Sequence, residues 1–454
     1  MSINANIPEW NMLRRPPSGI LGCDGKDRSR AVSEPKILVV GTTSDYVELL
    51  RQSNPNRALY LSSQAERNRA VEPLPQPWEE ITCDLDDDVS LILQRIHDHL
   101  KRWNHSLDGV ACFDCESMEL AASLARGLSL RYPSVESIAL CRDKFASKSI
   151  WQKNGVPCPR HRLVQSADGV FNFLQEIDSP CVIKPLSGSG SELVFVCSSR
   201  KDCEKGTQMI LGGLADRKNT RLYNKSDSLF MAEEFVAGHE FSCDFAIKDG
   251  RAEILRLTKK IKYTAKPFGT INGYMLTDWL NAGLNQEELS AVLQHGSAVL
   301  GIGEAICMVD FVVDQGKIML LEITPRPGGD CIPFLLSRTR GFDILGYSLD
   351  FAQRRAAAPP INALSADDLV ALRLHAGMSG EIVTINSSRL HQDPRIQEVY
   401  LIRSAGHRVL MPPSDYDSWY LGYLLFKPYS DVPVEQQCCE LRKLLELEMA
   451  CNER

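Results

Sequence analysis

The sequence predicts an α/β protein with α+β character toward its C-terminus. Three observations carry this. Lys36-Ile-Leu-Val-Val is a short apolar run closed by Gly41, the pattern of a buried parallel strand followed by a turn. Strand and helix patterns then alternate, with a helix over Ser90–Trp103, a strand over Leu107–Phe113 and a helix over Met118–Leu130. The chain has 454 residues, which sets a prior of one to three domains of ~150 residues each.

Residues 1–35 carry Asn, Pro, Gly, Ser and Arg without periodicity and read as a loosely held leader. Residues 36–139 form the expected open α/β domain. A second section runs over 140–360. It starts with a helix over Asp143–Asn154, stopped by Gly155-Val-Pro157. Pro180-Cys-Val-Ile-Lys-Pro185 reads as a strand, and Leu193–Cys197 as the next. Phe241, Cys243, Phe245 and Ile247 alternate with more polar residues, predicting a half-buried strand. Ile306–Val313 and Lys317–Ile323 flank Asp314-Gln-Gly316 and predict a hairpin. The last section, 365–454, shows short strands near 368–376, 380–385, 396–403 and 419–427, then a helix over about 433–448. No internal repeat is visible.

Composition excludes several classes. Apolar residues make up 44% and charged ones 24%, as in ordinary globular proteins, and 30 Gly with 24 Pro are too few for a fibrous chain. The net charge of −7 gives no general attraction to nucleic acid or anionic membrane. The start lacks a signal-peptide core, and no apolar run reaches the ~18 residues of a spanning helix. Fifteen Cys in such a chain are expected to be reduced thiols in a cytoplasmic protein.

Four groups of residues could carry chemistry. Lys184 ends a strand beside Ser187, Gly188, Ser189, Gly190 and Ser191. Such small residues let backbone N–H groups approach phosphate oxygens, and the lysine adds a point charge. The plain alternative is a Gly/Ser hairpin turn. Glu233-Glu-Phe-Val-Ala-Gly-His-Glu240 could present backbone groups to a flat heterocycle and Glu240 to ribose hydroxyls, or it could be a solvated acidic strand end. Asp310 and Glu322 fall near the far end of the predicted hairpin. Both are flanked by apolar residues, and burying an unpaired carboxylate costs several kcal/mol, so a hard oxygen site for Mg²⁺ stands level with the plain reading of two exposed acids. Thr324-Pro-Arg326-Pro-Gly-Gly329 would hold Arg326 rigidly near that site. Guanidinium suits bidentate contact with carboxylate or phosphate.

In order and spacing these groups resemble the ATP-grasp superfamily, and within it the carboxylate–amine ligases that join two amino acids. The resemblance covers about 140–350. It is carried by Arg142-Asp-Lys144 with Gly155-Val-Pro157, by Val182-Ile-Lys184-Pro185, by Glu233 to Glu240, by Val309-Asp310-Phe311, and by Leu321-Glu-Ile-Thr-Pro-Arg-Pro-Gly-Gly329. It implies an ATP-grasp fold behind an open α/β domain, with a C-terminal α+β domain. It also implies ATP and Mg²⁺ as cofactors, with Mn²⁺ an alternative, and small-molecule carboxylate and amine substrates. Nucleic acid and membrane are not expected partners, and a homodimer is compatible. Under the resemblance Lys144 and Lys184 hold ATP phosphates, Glu233, Phe235 and Val236 line the adenine site, Glu240 holds ribose, Asp310 and Glu322 carry Mg²⁺, and Arg326 faces the reacting carboxylate. The family often has Glu where Asp310 stands, and usually Asn where Thr324 stands, so Thr324 is expected to act on the metal at most through water.

The implied reaction is ATP-dependent amide formation through an acylphosphate. Its rivals are a carboxylase-like enzyme using bicarbonate and a non-catalytic, regulatory nucleotide-binding protein. Weaker signals complete the picture. Cys112-Phe-Asp-Cys115 has metal or redox spacing without a second such pair, so buried thiols are favoured over zinc. Cys438-Cys439 reads as packing in the last helix. Lys259-Lys-Ile-Lys262 is a solvated face or a phosphate neutraliser. His161, His239 and His295 show no ligand spacing.

Overall fold

The computed structural model describes residues 34–450 except 218–219, 224–227, 263–267 and 358–368. The leader expected over 1–35 lies outside the described residues apart from its last two, as does the boundary expected between 360 and 365. The apolar run Lys36–Val40 is a strand buried along its whole length. It is the third strand of a parallel sheet in the order Glu80–Cys83, Ala58–Ser63, Lys36–Val40, Leu107–Ala111. Its faces are covered because odd and even residues of one strand feed two different cores. Ile37 and Val39 pack with Tyr46 and Leu345, whereas Leu38 and Val40 pack with Ile92, Ile96 and Met118.

An eight-stranded sheet forms the body. Its order is Lys317–Thr324, Ala305–Asp314, His239–Lys248, Arg251–Lys262, Ile271–Leu276, Val370–His375, Tyr420–Phe426 and Ile396–Leu401, antiparallel at every pairing. Strands on both sides of residues 358–368 therefore share one sheet. A smaller antiparallel sheet, ordered His161–Val164, Phe230–Glu234, Cys181–Pro185, Phe195–Cys197, is backed by the helices Ala167–Ile177 and Arg200–Asp216. Among the described residues no helix is long and apolar enough to cross a membrane.

Two sequence readings need correction. Phe241–Ile247 was expected to be half-buried, yet every one of its residues is buried. Phe241, Cys243 and Phe245 enter an apolar core, while Ser242 and Asp244 on the opposite face are enclosed by hydrogen-bonding partners. The last helix ends at Arg442, and Glu446–Ala450 is a strand paired with Gly380–Asn386. Partners some sixty residues away in sequence override local helical preference there.

Candidate active site

Register places the polar groups of the large sheet on one face. Asp310 lies directly opposite Glu322 on the neighbouring strand and opposite Ser242 on the other side. Directly opposed residues of antiparallel strands point the same way, and residues two apart along a strand share a face. Glu240, Asp244, Arg256, Thr258, Lys260 and Thr324 are thereby brought to the same side. A bulge in the Lys317–Thr324 strand skips Leu321, since Asp310 pairs with Glu322 but Phe311 pairs with Leu320. The carbonyl of Leu321 accepts a hydrogen bond from Lys148.

The helix Lys144–Lys153 is capped by Asp143, whose carboxylate accepts the N–H groups of Phe145 and Ala146. Its spacing sets Lys144 and Lys148 one turn apart on the same side. Lys144 Nζ lies 3.2 Å from Glu322. Lys148 Nζ lies 3.3 Å from Glu233, whose other oxygen is paired with Lys184. Glu233 thus sits between two buried lysines, and its side chain faces them. Phe235 gives its N–H to the Pro180 carbonyl and turns its ring toward Phe268. Val236 follows in the same connecting segment, outside any strand.

A second chain of ion pairs runs along the sheet. Lys260 bridges Glu240 at 2.9 Å and Asp310 at 2.7 Å, and Lys262 lies 3.3 Å from Glu240. Of the Lys259–Lys262 cluster, Lys260 and Lys262 turn toward carboxylates. Ser187 donates to the Leu222 carbonyl and anchors the Gly/Ser loop. The Gly188 carbonyl accepts from Lys144, and a turn from Ser189 to Glu192 encloses Gly190.

Electrostatics separates the two carboxylates. Burial alone would raise the Glu322 pKa, but Lys144, with Arg142 and Lys184, holds it at about 2. Burial raises that of Asp310, and Lys260 opposes the shift without cancelling it. The Oδ1 atom of Asp310 is enclosed and has no hydrogen-bond partner among the described residues. A free carboxylate oxygen opposite a second, ionised carboxylate fits a hard divalent cation. Thr324 donates to Glu322 at 3.3 Å, so its hydroxyl faces that carboxylate.

Arg326 stands apart from these pairs. Its guanidinium donates to Cys115 Sγ at 2.9 and 3.2 Å and to the Pro327 carbonyl at 2.7 Å. Its loop is fixed by residues that sequence reading passed over. Arg256 and Asp244, both fully buried, form a bidentate pair at 2.7 and 3.0 Å, and Asp244 also accepts the Gly328 N–H at 2.8 Å. A Cβ at position 328 would meet Arg256 Nη2 at 2.3 Å, which is why glycine stands there. The CxxC spacing marked Cys115, which was expected to be a buried thiol; it is half-buried and meets an arginine. Cys112 is buried, as are Cys438 and most of the other described cysteines, all of them unpaired.

The triad of Lys148, Glu233 and Lys184 yields a pH prediction. Burial works against the charged form of Glu233, but Lys148 and Lys184 outweigh it and hold the pKa below its ordinary value. The stability this carboxylate contributes is fully present above its unfolded value and is lost as pH falls through the folded one. The difference in thermal midpoint between the parent and Glu233→Gln should therefore be largest near neutrality and shrink as pH drops from about 5 to about 3. A difference that stays constant across that range would remove the charge from the explanation.

A loop of small residues, lysines on a helix and a strand, and a carboxylate pair on one sheet face thus lie together in this fold. Residues 177–334 match the family model described as ATP-grasp domain, so the chain carries that domain. The D-alanine–D-alanine ligase of Laribacter hongkongensis is 32% identical over 202 residues, 43% of this chain and 59% of that one. Protein y4rH of Sinorhizobium fredii is 26% identical over 232 residues, 50% of this chain and 45% of that one. The chain thus spans about half the length of these curated relatives. The crystal structure of an L-amino acid ligase from Bacillus licheniformis has the same fold, with a TM-score of 0.69 at 19% identity over 92% of this chain and 99% of that one.

Proposed function

We propose that the chain is an ATP-dependent ligase that joins a carboxylate, an amino acid by this reading, to an amine, releasing ADP and phosphate. The observation that carries the reading is the set of paired charges: Lys144 with Glu322, Lys184 with Glu233, and Lys260 with Asp310. Each lysine is balanced by a carboxylate that could change partners when phosphates arrive. Lys144 and Lys184 would then neutralise phosphate oxygens, while Asp310 and Glu322 would hold Mg²⁺. That ion, when bound, supplies further neutralisation of phosphate charge. Phe235 and Val236 would border the adenine and Glu240 the ribose.

In this reading the substrate carboxylate attacks the γ-phosphorus in line, the bond to the bridging oxygen breaks, and ADP leaves. The amine nitrogen then attacks the acyl carbon of the acylphosphate and phosphate departs. Arg326 would stabilise the oxyanion formed at that carbon, a role suited to a guanidinium held by a rigid loop. The Ser187–Ser191 loop would shield the acylphosphate from water. A cytoplasmic setting suits a chain with fifteen cysteines.

The test begins with a screen of carboxylate and amine pairs for ADP release. With a productive pair, ¹⁸O in the substrate carboxylate should pass to the released phosphate, one atom per turnover. Label kept wholly in the amide product, or AMP in place of ADP, would sink the acylphosphate route.

A further inference from the structure

Arg142 ends the helix Val135–Arg142, two residues before Lys144. It is only 6% exposed. It lines a cavity of about 290 Å³ together with Cys115, Glu116 and Ser187. A guanidinium carries five N–H donors. Among the described residues this one makes a single hydrogen bond, to the Gly188 carbonyl, at a long 3.4 Å. It forms no ion pair there. Glu322 and Glu116 attract it only from beyond ion-pair distance, so most of its donors point at no protein oxygen among the described residues and suit a further anionic partner.

The position says which partner. The same Gly188 carbonyl accepts from Lys144 Nζ, also at 3.4 Å, and Lys144 lies against Glu322. Two cations converge on one neutral oxygen at the edge of the Gly/Ser loop. An anionic oxygen placed there would receive both. Gly188 has φ of +144°, a conformation that side-chain-bearing residues rarely adopt, which is why glycine stands at this approach.

We propose that Arg142 is a catalytic residue that, with Lys144, grips the phosphoryl group in transfer, binding the oxygen whose place the Gly188 carbonyl takes in this structure. This rests on the ligase reading above. It adds a contact to the γ-phosphoryl group from the helix that precedes Lys144. The guanidinium would offset charge on the equatorial oxygens as the bond to ADP breaks, from a helix that is already packed.

The probes are ADP and the non-hydrolysable β,γ-imido analogue of ATP, each with Mg²⁺, titrated calorimetrically into the full chain. Arg142→Ala should weaken the imido analogue about tenfold or more, the loss expected for one charge-assisted contact. ADP affinity should stay within about twofold, which also shows that the variant is folded. Arg142→Lys should recover part of the loss, and it replaces the alanine variant if that one fails to bind ADP. Equal weakening of both nucleotides, or of neither, overturns the proposal. So does a defect that emerges only when a carboxylate substrate is added, which would assign Arg142 to that carboxylate. A parent protein that binds neither nucleotide overturns the ligase reading instead.

Discussion

Arg256→Met should cost about 3–5 kcal/mol of folding stability, the loss seen when one member of a buried ion pair is removed and the other is left uncompensated. The reason is geometric. Arg256 is fully buried and satisfies its fork on Asp244, the Ser242 carbonyl and hydroxyl, and the Thr258 hydroxyl. Methionine fills similar space but leaves the Asp244 carboxylate with the Gly328 N–H as its remaining donor. Pairing Arg256→Met with Asp244→Leu should restore much of the stability, because no charge is then stranded. The double variant should still be less active than the parent, since Gly328 loses its anchor and Arg326 its fixed loop. Urea unfolding of all three proteins measures the first part. A single variant within about 1 kcal/mol of the parent would mean that water reaches the pair.

Glu322→Ala should reduce turnover by about 10³-fold or more, because it removes the proposed metal carboxylate and strands Lys144 at the same time. Thr324 offers the contrast. Its hydroxyl touches Glu322 at 3.3 Å, and a Thr hydroxyl is a poor neutral ligand on a stiff, branched side chain. Thr324→Ala should therefore only weaken turnover, and Thr324→Asn should leave it similar or lower the Mg²⁺ requirement. Turnover against free Mg²⁺ separates the cases. A parent that is inactive at every Mg²⁺ concentration with a broad substrate panel, while Thr324→Asn is active, would favour the non-catalytic reading.

What could be read from the sequence was local. The hairpin bearing Asp310 and Glu322 was legible because Asp314-Gln-Gly316 fixes the turn and apolar neighbours flag the acids. The Gly/Ser loop and Lys184 were legible because a strand and a run of small residues adjoin. Pairing was not legible where it depends on register. Arg256 meets Asp244 only because the ladder slips by one residue between Ile254 and Arg256. Arg142 belongs to a legible motif, but that it forms no direct ion pair among the described residues is visible only in three dimensions. Lys260 and Lys262 stood out as a cluster, while their turn toward Glu240 and Asp310 followed from strand alternation that the unread register concealed. The alternation of Phe241, Cys243, Phe245 and Ile247 pointed to one buried face, whereas Ser242 and Asp244 between them are buried as well, among hydrogen-bonding partners.

The large sheet also constrains how the molecule can move. The carboxylates of Asp310 and Glu322 and the C-terminal strands belong to one continuous hydrogen-bonded ladder, so they must travel as one piece. Among the described residues the small sheet shares no ladder with it. Among the described residues the chain enters that lobe through residues 154–160 and leaves it through 235–238. Rotation about them would carry Lys184, Glu233 and the Gly/Ser loop away from Lys148, Lys144 and Glu322 as a unit. The Lys148–Glu233 pair and the Lys144–Gly188 hydrogen bond are latches across that joint. Amide hydrogens of the small sheet should accordingly report opening as a block, while those of Ala305–Asp314 exchange only when the body itself unfolds.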